Sequence, residues 1–212
     1  MKKIFALILL LSTLASAKPG DSLAPLRETL QVIRQAKMTE FNFEKSSFSD
    51  FTDTKVVRGQ ALLAGSLFRM KVNSIPKELV VFDGKTIWVE RESDPDFPGP
   101  PEVLKAKISS KQKNQLVLSE LLSRGKLLDT FEMKKVKEEK GLFTFEGTPK
   151  DKLAELKKVT VQVQARELKG LEYVDEIGNR VLYKILKQTL QKELSPGKFR
   201  YTPPKNAKVS EV

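Results

Sequence analysis

Short runs in which apolar and polar residues alternate constrain this chain more than any other feature of its sequence. Phe41 and Phe43 would lie on one face of a strand and Asn42 and Glu44 on the other, because side chains two apart point to the same side. Similar strand patterns occupy residues 56–63, 67–72, 78–82, 85–90, 128–137, 143–145, 159–163, 181–190 and 199–201. Many short strands without an alternating helix predict a mainly β (α+β) fold, built on an antiparallel sheet that is strongly curved or forms an incomplete barrel.

The segments between the strand patterns carry turn and helix signals. Asp83-Gly84 is a tight hairpin signal, and the proline-rich residues 93–101 predict a loop. A first amphipathic helix is predicted from Asp21-Ser22 to about Ala36, with an apolar face of Leu23, Leu26, Leu30 and Ile33. A second helix is predicted at residues 115–124, ending at Gly125, with an apolar side of Leu118, Leu121 and Leu122.

The N-terminus has the three parts of a secretory signal peptide. Lys2 and Lys3 precede an apolar run at residues 4–11, and Ala15-Ser16-Ala17 places small residues at the cleavage positions. The run is too short to span a bilayer, which needs about 20 apolar residues. We therefore expect residues 1–17 to be a signal peptide cleaved after Ala17, and residues 18–212 to form a single domain outside the cytoplasm.

The composition excludes several classes of chemistry. The chain has no Cys and no His, which removes disulfides, thiol catalysis, Cys-ligated metals and Ser-His-Asp triads. Asp94 and Asp96 lie in the proline-rich loop, where surface charge explains them better than a glycosidase pair. We predict no enzyme activity, no catalytic residue, no metal and no cofactor. The net charge of +11 would permit nucleic-acid binding, but export and aromatic residues that alternate along strands argue against that partner.

Large apolar side chains are spread over many of the predicted strands. They could fill an ordinary core, or a curved sheet closed by amphipathic helices could enclose an apolar hollow that takes a ligand. Composition alone does not distinguish these two arrangements. The residues that would line such a hollow are Phe41, Phe43, Phe68, Met70, Trp88, Met133, Phe143, Phe145 and Tyr183.

Several segments, in order along the chain, carry a resemblance to a known family. The first strand has Phe41-Asn42-Phe43, followed by Gly59-Gln60-Ala61-Leu62 and Leu67-Phe68-Arg69-Met70. Residues 79–88 form a hairpin pattern with an Asp-Gly turn and Trp88, and residues 199–204 read aromatic-x-aromatic-x-Pro-Pro. These segments resemble the outer-membrane lipoprotein carrier (LolA) family, and the resemblance covers essentially the whole mature chain.

The resemblance implies a fold and a role. The fold would be an incomplete barrel with a short helical lid over an apolar cavity, and the lid would be formed by the two predicted helices. The role would be that of a monomeric periplasmic chaperone of a Gram-negative envelope, which binds the acyl chains of lipoproteins. An inner-membrane lipoprotein-releasing ABC transporter would supply these lipoproteins, and an outer-membrane lipoprotein receptor would accept them.

One departure from the family concerns the latch of the lid. The family commonly has an arginine in the turn before the Phe68 strand, where this chain has Ala64-Gly65-Ser66. Arg58 and Arg69 are the candidates to replace it. The absent Cys also separates this chain from the related outer-membrane receptor, which is itself a lipoprotein.

Two other functions remain open at the level of sequence. The chain could carry other lipids or glycolipids through the periplasm, or it could be an envelope sensor or interaction module that uses the same fold without enzymatic activity.

Overall fold

A computed structural model describes residues 21–49, 52–107, 121–122, 126–151 and 156–211, and these residues build one curved sheet with little helix. The sheet has twelve strands in the order β12-β6-β5-β4-β3-β2-β1-β11-β10-β9-β8-β7. The described neighbours pair antiparallel except β12 and β6, which pair parallel. The predicted fold class is confirmed.

The described elements follow one another in chain order, with few residues between most of them. The helices are α1 (Ala24–Gln35), α2 (Lys126–Thr130) and a 3-10 helix (Pro196–Phe199). The strands are β1 (Met38–Ser49), β2 (Thr52–Ala64), β3 (Leu67–Val72), β4 (Glu78–Phe82), β5 (Thr86–Arg91), β6 (Glu102–Lys107), β7 (Phe131–Glu139), β8 (Leu142–Pro149), β9 (Leu156–Gln164), β10 (Glu167–Asp175), β11 (Arg180–Gln191) and β12 (Lys208–Glu211).

Local chemistry explains the start and the end of α1. The Asp21 carboxylate accepts a hydrogen bond from the Leu23 backbone N–H at 3.0 Å, and Pro25 lies in the first turn, where its missing donor costs nothing. Ala36 is extended (φ −66°, ψ 141°), so the chain leaves the helix and enters β1 almost at once. This direct connection holds α1 close to the sheet.

The Asp83-Gly84 hairpin forms as predicted. The Asp83 carboxylate accepts hydrogen bonds from the backbone N–H groups of Lys85 (2.9 Å) and Thr86 (2.8 Å). Gly84 takes a positive φ of 100°, which residues with a Cβ rarely adopt. The turn fixes the register of β4 on β5, with Phe82 opposite Ile87.

The two faces of the sheet differ in what covers them. We call inner face the side on which α1 packs, and outer face the opposite side. The main buried cluster joins the apolar side chains of α1 to those of the strands on the inner face. On the outer face a smaller cluster of Met38, Leu62, Ala64 and Phe199 is covered by the segment around the 3-10 helix.

Three sequence expectations differ from the structure. Residues 199–201 do not form a strand, because Pro196 begins a 3-10 helix that ends at Phe199. The sequence analysis did not predict β6 or β12, which pair with each other over a long separation in the chain. The predicted strand at 128–137 begins only at Phe131, after the short helix α2.

Two further expectations fall largely outside the described residues. These are the signal peptide at residues 1–17 and most of the second helix at residues 115–124, of which Leu121 and Leu122 are described and helical. Within the described part of the chain, no helix combines the length and the apolar character needed to cross a membrane.

Candidate functional site

Helix α1 covers the inner face with three side chains. Leu26, Leu30 and Ile33 are 0%, 1% and 4% exposed and belong to the main buried cluster. They recur at helical spacing, so one side of α1 meets the sheet while Arg27 and Gln31 remain exposed. Leu23 packs against the same cluster and is partly buried. The predicted lid face of the first helix therefore lies on the sheet.

Most of the other candidate residues come together under α1. Leu121 and Leu122 are buried in this cluster, whereas Leu118 lies outside the described residues. Phe143 is partly buried and packs against the cluster. The candidate strand residues buried in the cluster are Phe41, Phe43, Phe68, Met70, Met133, Phe145 and Tyr183.

Trp88 lies elsewhere. Its neighbours Ile87 and Val89 point inward and belong to the main cluster, so Trp88 points to the outer face. There its ring lies 5.4 Å from that of Tyr201, between centroids, and the Lys105 ammonium is 5.5 Å from the Trp88 ring. Trp88 thus fastens the C-terminal segment to β5 and does not line the inner face.

Neither candidate for the latch touches α1. Arg58 binds Glu44 at 2.9 Å on the outer face, and Arg69 donates a hydrogen bond to the Lys198 carbonyl at 3.2 Å. The side-chain ion pair that ties α1 to the sheet joins Glu28 to Arg166, with 2.9 Å between Oε2 and Nε. Arg166 lies in the turn between β9 and β10 and has a positive φ of 63°.

The polar side chains of α1 itself are satisfied locally. Buried Thr29 donates to the Pro25 carbonyl at 2.9 Å, one helical turn earlier, and Arg34 donates to the Leu30 carbonyl at 3.3 Å. Thr39 of β1 donates to the Ile33 carbonyl at 3.4 Å. The helix is therefore held on the sheet mainly by apolar contacts, which lack direction and permit other apolar partners.

Three aromatic rings mark the part of the inner face near the middle of β1 and β11. Phe43 meets Tyr183 edge-on at 5.3 Å, and Tyr183 lies 6.5 Å from Tyr173. Burial raises the pKa of Tyr173 to about 12, helped by the Asp175 carboxylate and opposed by a hydrogen bond from Tyr183. Burial also raises the pKa of Tyr183 well above its ordinary value. Both phenols are neutral at physiological pH.

The sequence analysis missed many residues of the same surface. Strand parity was the signal that could have identified them, since residues two apart share a face with Phe41, Phe68 or Phe145. The missed buried residues of the cluster include Val80, Phe82, Ile87, Leu127, Phe131, Val159, Val161, Val163, Leu168, Leu171 and Tyr173.

The arrangement suits the binding of apolar groups more than polar chemistry. Among the described residues, no group of three carboxylates comes close enough together to hold a metal ion. The inner face instead presents a continuous surface of aliphatic and aromatic side chains under a removable helix. Such a surface can bury a hydrocarbon chain in place of α1.

Comparison with solved structures supports the fold. A conserved protein from Thermus thermophilus superposes with a TM-score of 0.51 at 11% identity, over 91% of this chain and all (100%) of the other. A LolA superfamily protein from Nitrosomonas europaea gives 0.44 at 12% identity, over 85% and 97%. Lipoprotein LppX from Mycobacterium tuberculosis gives 0.42 at 10% identity, over 82% and 96%.

Comparison of sequences gives the family. A search of the curated proteins found no match. The sequence profile of the outer membrane lipoprotein carrier protein LolA matches residues 34–202, from the end of α1 to the segment that follows the 3-10 helix. This match spans most of the chain and includes the inner-face strands and the Asp-Gly hairpin. The chain therefore belongs to the LolA family of outer membrane lipoprotein carrier proteins.

Proposed function

We propose that this protein carries acylated lipoproteins through the periplasm. The acyl chains would replace α1 on the inner face, while the protein part of the cargo stays in water. An inner-membrane lipoprotein-releasing ABC transporter would load the carrier, and an outer-membrane lipoprotein receptor would unload it. Export would depend on the signal peptide at residues 1–17. The observation that carries the proposal is the apolar face of α1 lying on a continuous apolar surface in a member of this family.

The exchange of α1 for an acyl chain is energetically plausible. Leu26, Leu30 and Ile33 each gain about 1.5–3 kcal/mol from burial, which amounts to roughly 5–9 kcal/mol for the three. A chain of about 16 carbons gains about 0.8 kcal/mol per buried methylene, or roughly 12 kcal/mol. One acyl chain can therefore compensate for the displaced helix, and further chains add to the difference.

Release requires that the closed state remain a strong competitor. The side chains of α1 are almost completely excluded from water when it lies on the sheet, so closure recovers most of the free energy lost with the cargo. The ion pair of α1 with the sheet is largely exposed, and such pairs contribute about 0–1 kcal/mol. The carrier would thus alternate between two apolar occupants of one surface without breaking a strong polar bond.

The test is capture of lipoproteins by the purified mature chain, residues 18–212. Envelope extract would be passed over the immobilised chain, and bound material would be identified by mass spectrometry of both protein and lipid. We expect enrichment of triacylated lipoproteins and no capture of the same lipoprotein with its acylated cysteine replaced by serine. Equal capture of the acylated and unacylated forms would contradict the proposal. Free lipid without lipoprotein would instead support a carrier of other lipids.

A second test follows the cargo in the cell. Depletion of the protein should leave lipoproteins in the inner membrane, measured by separating the two membranes on a density gradient. Unchanged sorting after depletion would favour an envelope sensor or interaction module over a carrier.

A further inference from the structure

A basic group lies at one end of the otherwise apolar inner face. Lys45 of β1 is paired directly opposite Val57 of β2 and Tyr183 of β11, and Tyr183 is buried in the main cluster. Residues directly opposite each other share a face of the sheet, so the Lys45 side chain points inward. Its neighbour Glu44 points outward, where it binds Arg58 at 2.9 Å. Lys45 is therefore a partly buried cation on the surface that α1 covers elsewhere.

Two further cations lie on the same face at the same end. Arg91 of β5 is directly opposite Glu78 of β4, two residues beyond the inward pair Val80 and Val89, and it binds Glu78 at 3.0 Å. Lys55 of β2 shares the parity of inward-facing Val57.

These side chains border a recess at the end of the inner face. Lys55 donates a hydrogen bond to the Ile75 carbonyl at 3.3 Å. Lys55, Glu78 and Arg91 line the recess together with residues 74–76, and its volume is about 310 Å³.

The charges at this end do not balance. Three cations face one carboxylate, and Glu78 is already paired with Arg91. Among the side chains that the structure describes, the Lys45 ammonium has no hydrogen-bond or ion-pair partner. Burial lowers the pKa of Lys45, and the Glu78 carboxylate opposes that change. A partly buried ammonium without a close partner is costly, and an anion brought next to it would remove much of that cost.

The basic end adjoins the apolar surface. Phe43 lies two residues before Lys45 on β1 and is fully buried in the main cluster, so the two side chains are about 7 Å apart along the strand. Val72 of β3 and Val80 of β4 continue the apolar surface away from Glu78. A hydrocarbon chain on Phe43 and Val80 would place a polar group attached to its end beside Lys45.

We propose that Lys45, assisted by Lys55 and Arg91, binds an anionic carboxylate or phosphate at the end of an acyl chain held on the inner face. The inference rests on the proposed function, since it needs the inner face to hold the chain. It adds a ligand preference, because an apolar surface alone would take charged and uncharged amphiphiles of one length equally well.

The test uses three ligands with the same twelve-carbon chain: laurate, dodecyl phosphate and dodecanol. Their affinities for the mature chain would be measured by competition with a fluorescent fatty-acid probe. Lys45→Met removes the ammonium and keeps the apolar stem. We expect this variant to bind laurate or dodecyl phosphate on the order of tenfold more weakly, and dodecanol unchanged. The anion that loses more affinity identifies the preferred group.

The controls separate the subsite from the rest of the site. Lys71→Met changes an exposed lysine on the outer face and should alter none of the affinities. Lys55→Met, also an exposed position, should weaken the anions in the same direction as Lys45→Met and serves if the first variant does not fold. Circular dichroism would establish that each variant keeps its strands.

Two results would overturn the inference in distinguishable ways. If dodecanol binds but the anions bind no more tightly and Lys45→Met changes nothing, the basic subsite is wrong while the apolar carrier surface stands. If none of the three ligands binds the wild-type chain, the proposed function fails and the subsite fails with it.

Discussion

Leu30 lies in the middle of the apolar side of α1 and is almost completely buried against the sheet. We expect Leu30→Glu to weaken binding of a palmitoylated peptide at least about tenfold, because a carboxylate cannot be buried there without a partner. Gln31→Glu is the matched control: it places the same charge one residue later on the exposed side of α1. Fluorescence titration measures the binding, and equal affinities for the two variants would remove Leu30 from the site.

Tyr173 gives the structure a dependence on pH. Burial raises its pKa to about 12, above the ordinary value of 10.0, so the folded state keeps the phenol proton longer than the unfolded state. The free energy of unfolding should be unaffected below pH 10 and fall between about pH 10 and 12, by roughly 3 kcal/mol in total. Urea unfolding at pH 9 and pH 11.5 tests this. The Tyr173→Phe variant should lose less stability over that interval, and equal losses in the two proteins would contradict the assignment.

At the scale of the elements, the Glu28–Arg166 ion pair is the side-chain link that holds the start of α1 to the β9–β10 turn. Because both side chains are largely exposed, its loss should cost at most about 1 kcal/mol. We expect Arg166→Ala to speed amide hydrogen exchange in α1 by up to about fivefold while exchange in β1 and β2 stays the same.

A matched control exists on the same helix. Arg27 pairs with Asp21 at 3.1 Å, and that pair lies beside the helix start without crossing to the sheet. Arg27→Ala should therefore leave the exchange of the later turns of α1 unaltered. If the two variants behave alike, Glu28–Arg166 is not a latch.

The elements also show how far the sequence reaches. The hairpins from β1 to β5 follow from local alternation and from Asp83-Gly84, and the lid face of α1 follows from helical spacing. The pairing of β12 with β6 could not be predicted, because Lys208–Glu211 is exposed along its whole length and has no apolar period. The contact of Glu28 with Arg166 joins residues 138 apart, and nothing local to either residue indicates it.

Trp88 illustrates a different kind of error. Its size and its place in the hairpin suggested a cavity residue, but strand parity puts it on the outer face with Tyr201. The outward direction follows from inward-facing Ile87 and Val89, so it was available in the sequence once those two residues were assigned to the core.

At the scale of the whole molecule, the open sheet gives one surface two possible covers. Its described edges are β12 and β7, and β7 is followed along its length by charged side chains that discourage pairing with another strand. The inner face between these edges is covered by α1 in the closed state. Binding of cargo by this account is therefore a movement of α1 away from the strands of the sheet.

That movement can be measured directly, because the chain contains no cysteine and two introduced ones can be labelled selectively. Gln31→Cys on the exposed side of α1 and Lys157→Cys on exposed β9 would carry nitroxide labels, and pulsed electron paramagnetic resonance would report the distance between them. The account predicts a shift to longer distances when a palmitoylated peptide is added, and none with the same peptide lacking its acyl chain. An unchanged distance with the acylated peptide bound would contradict it.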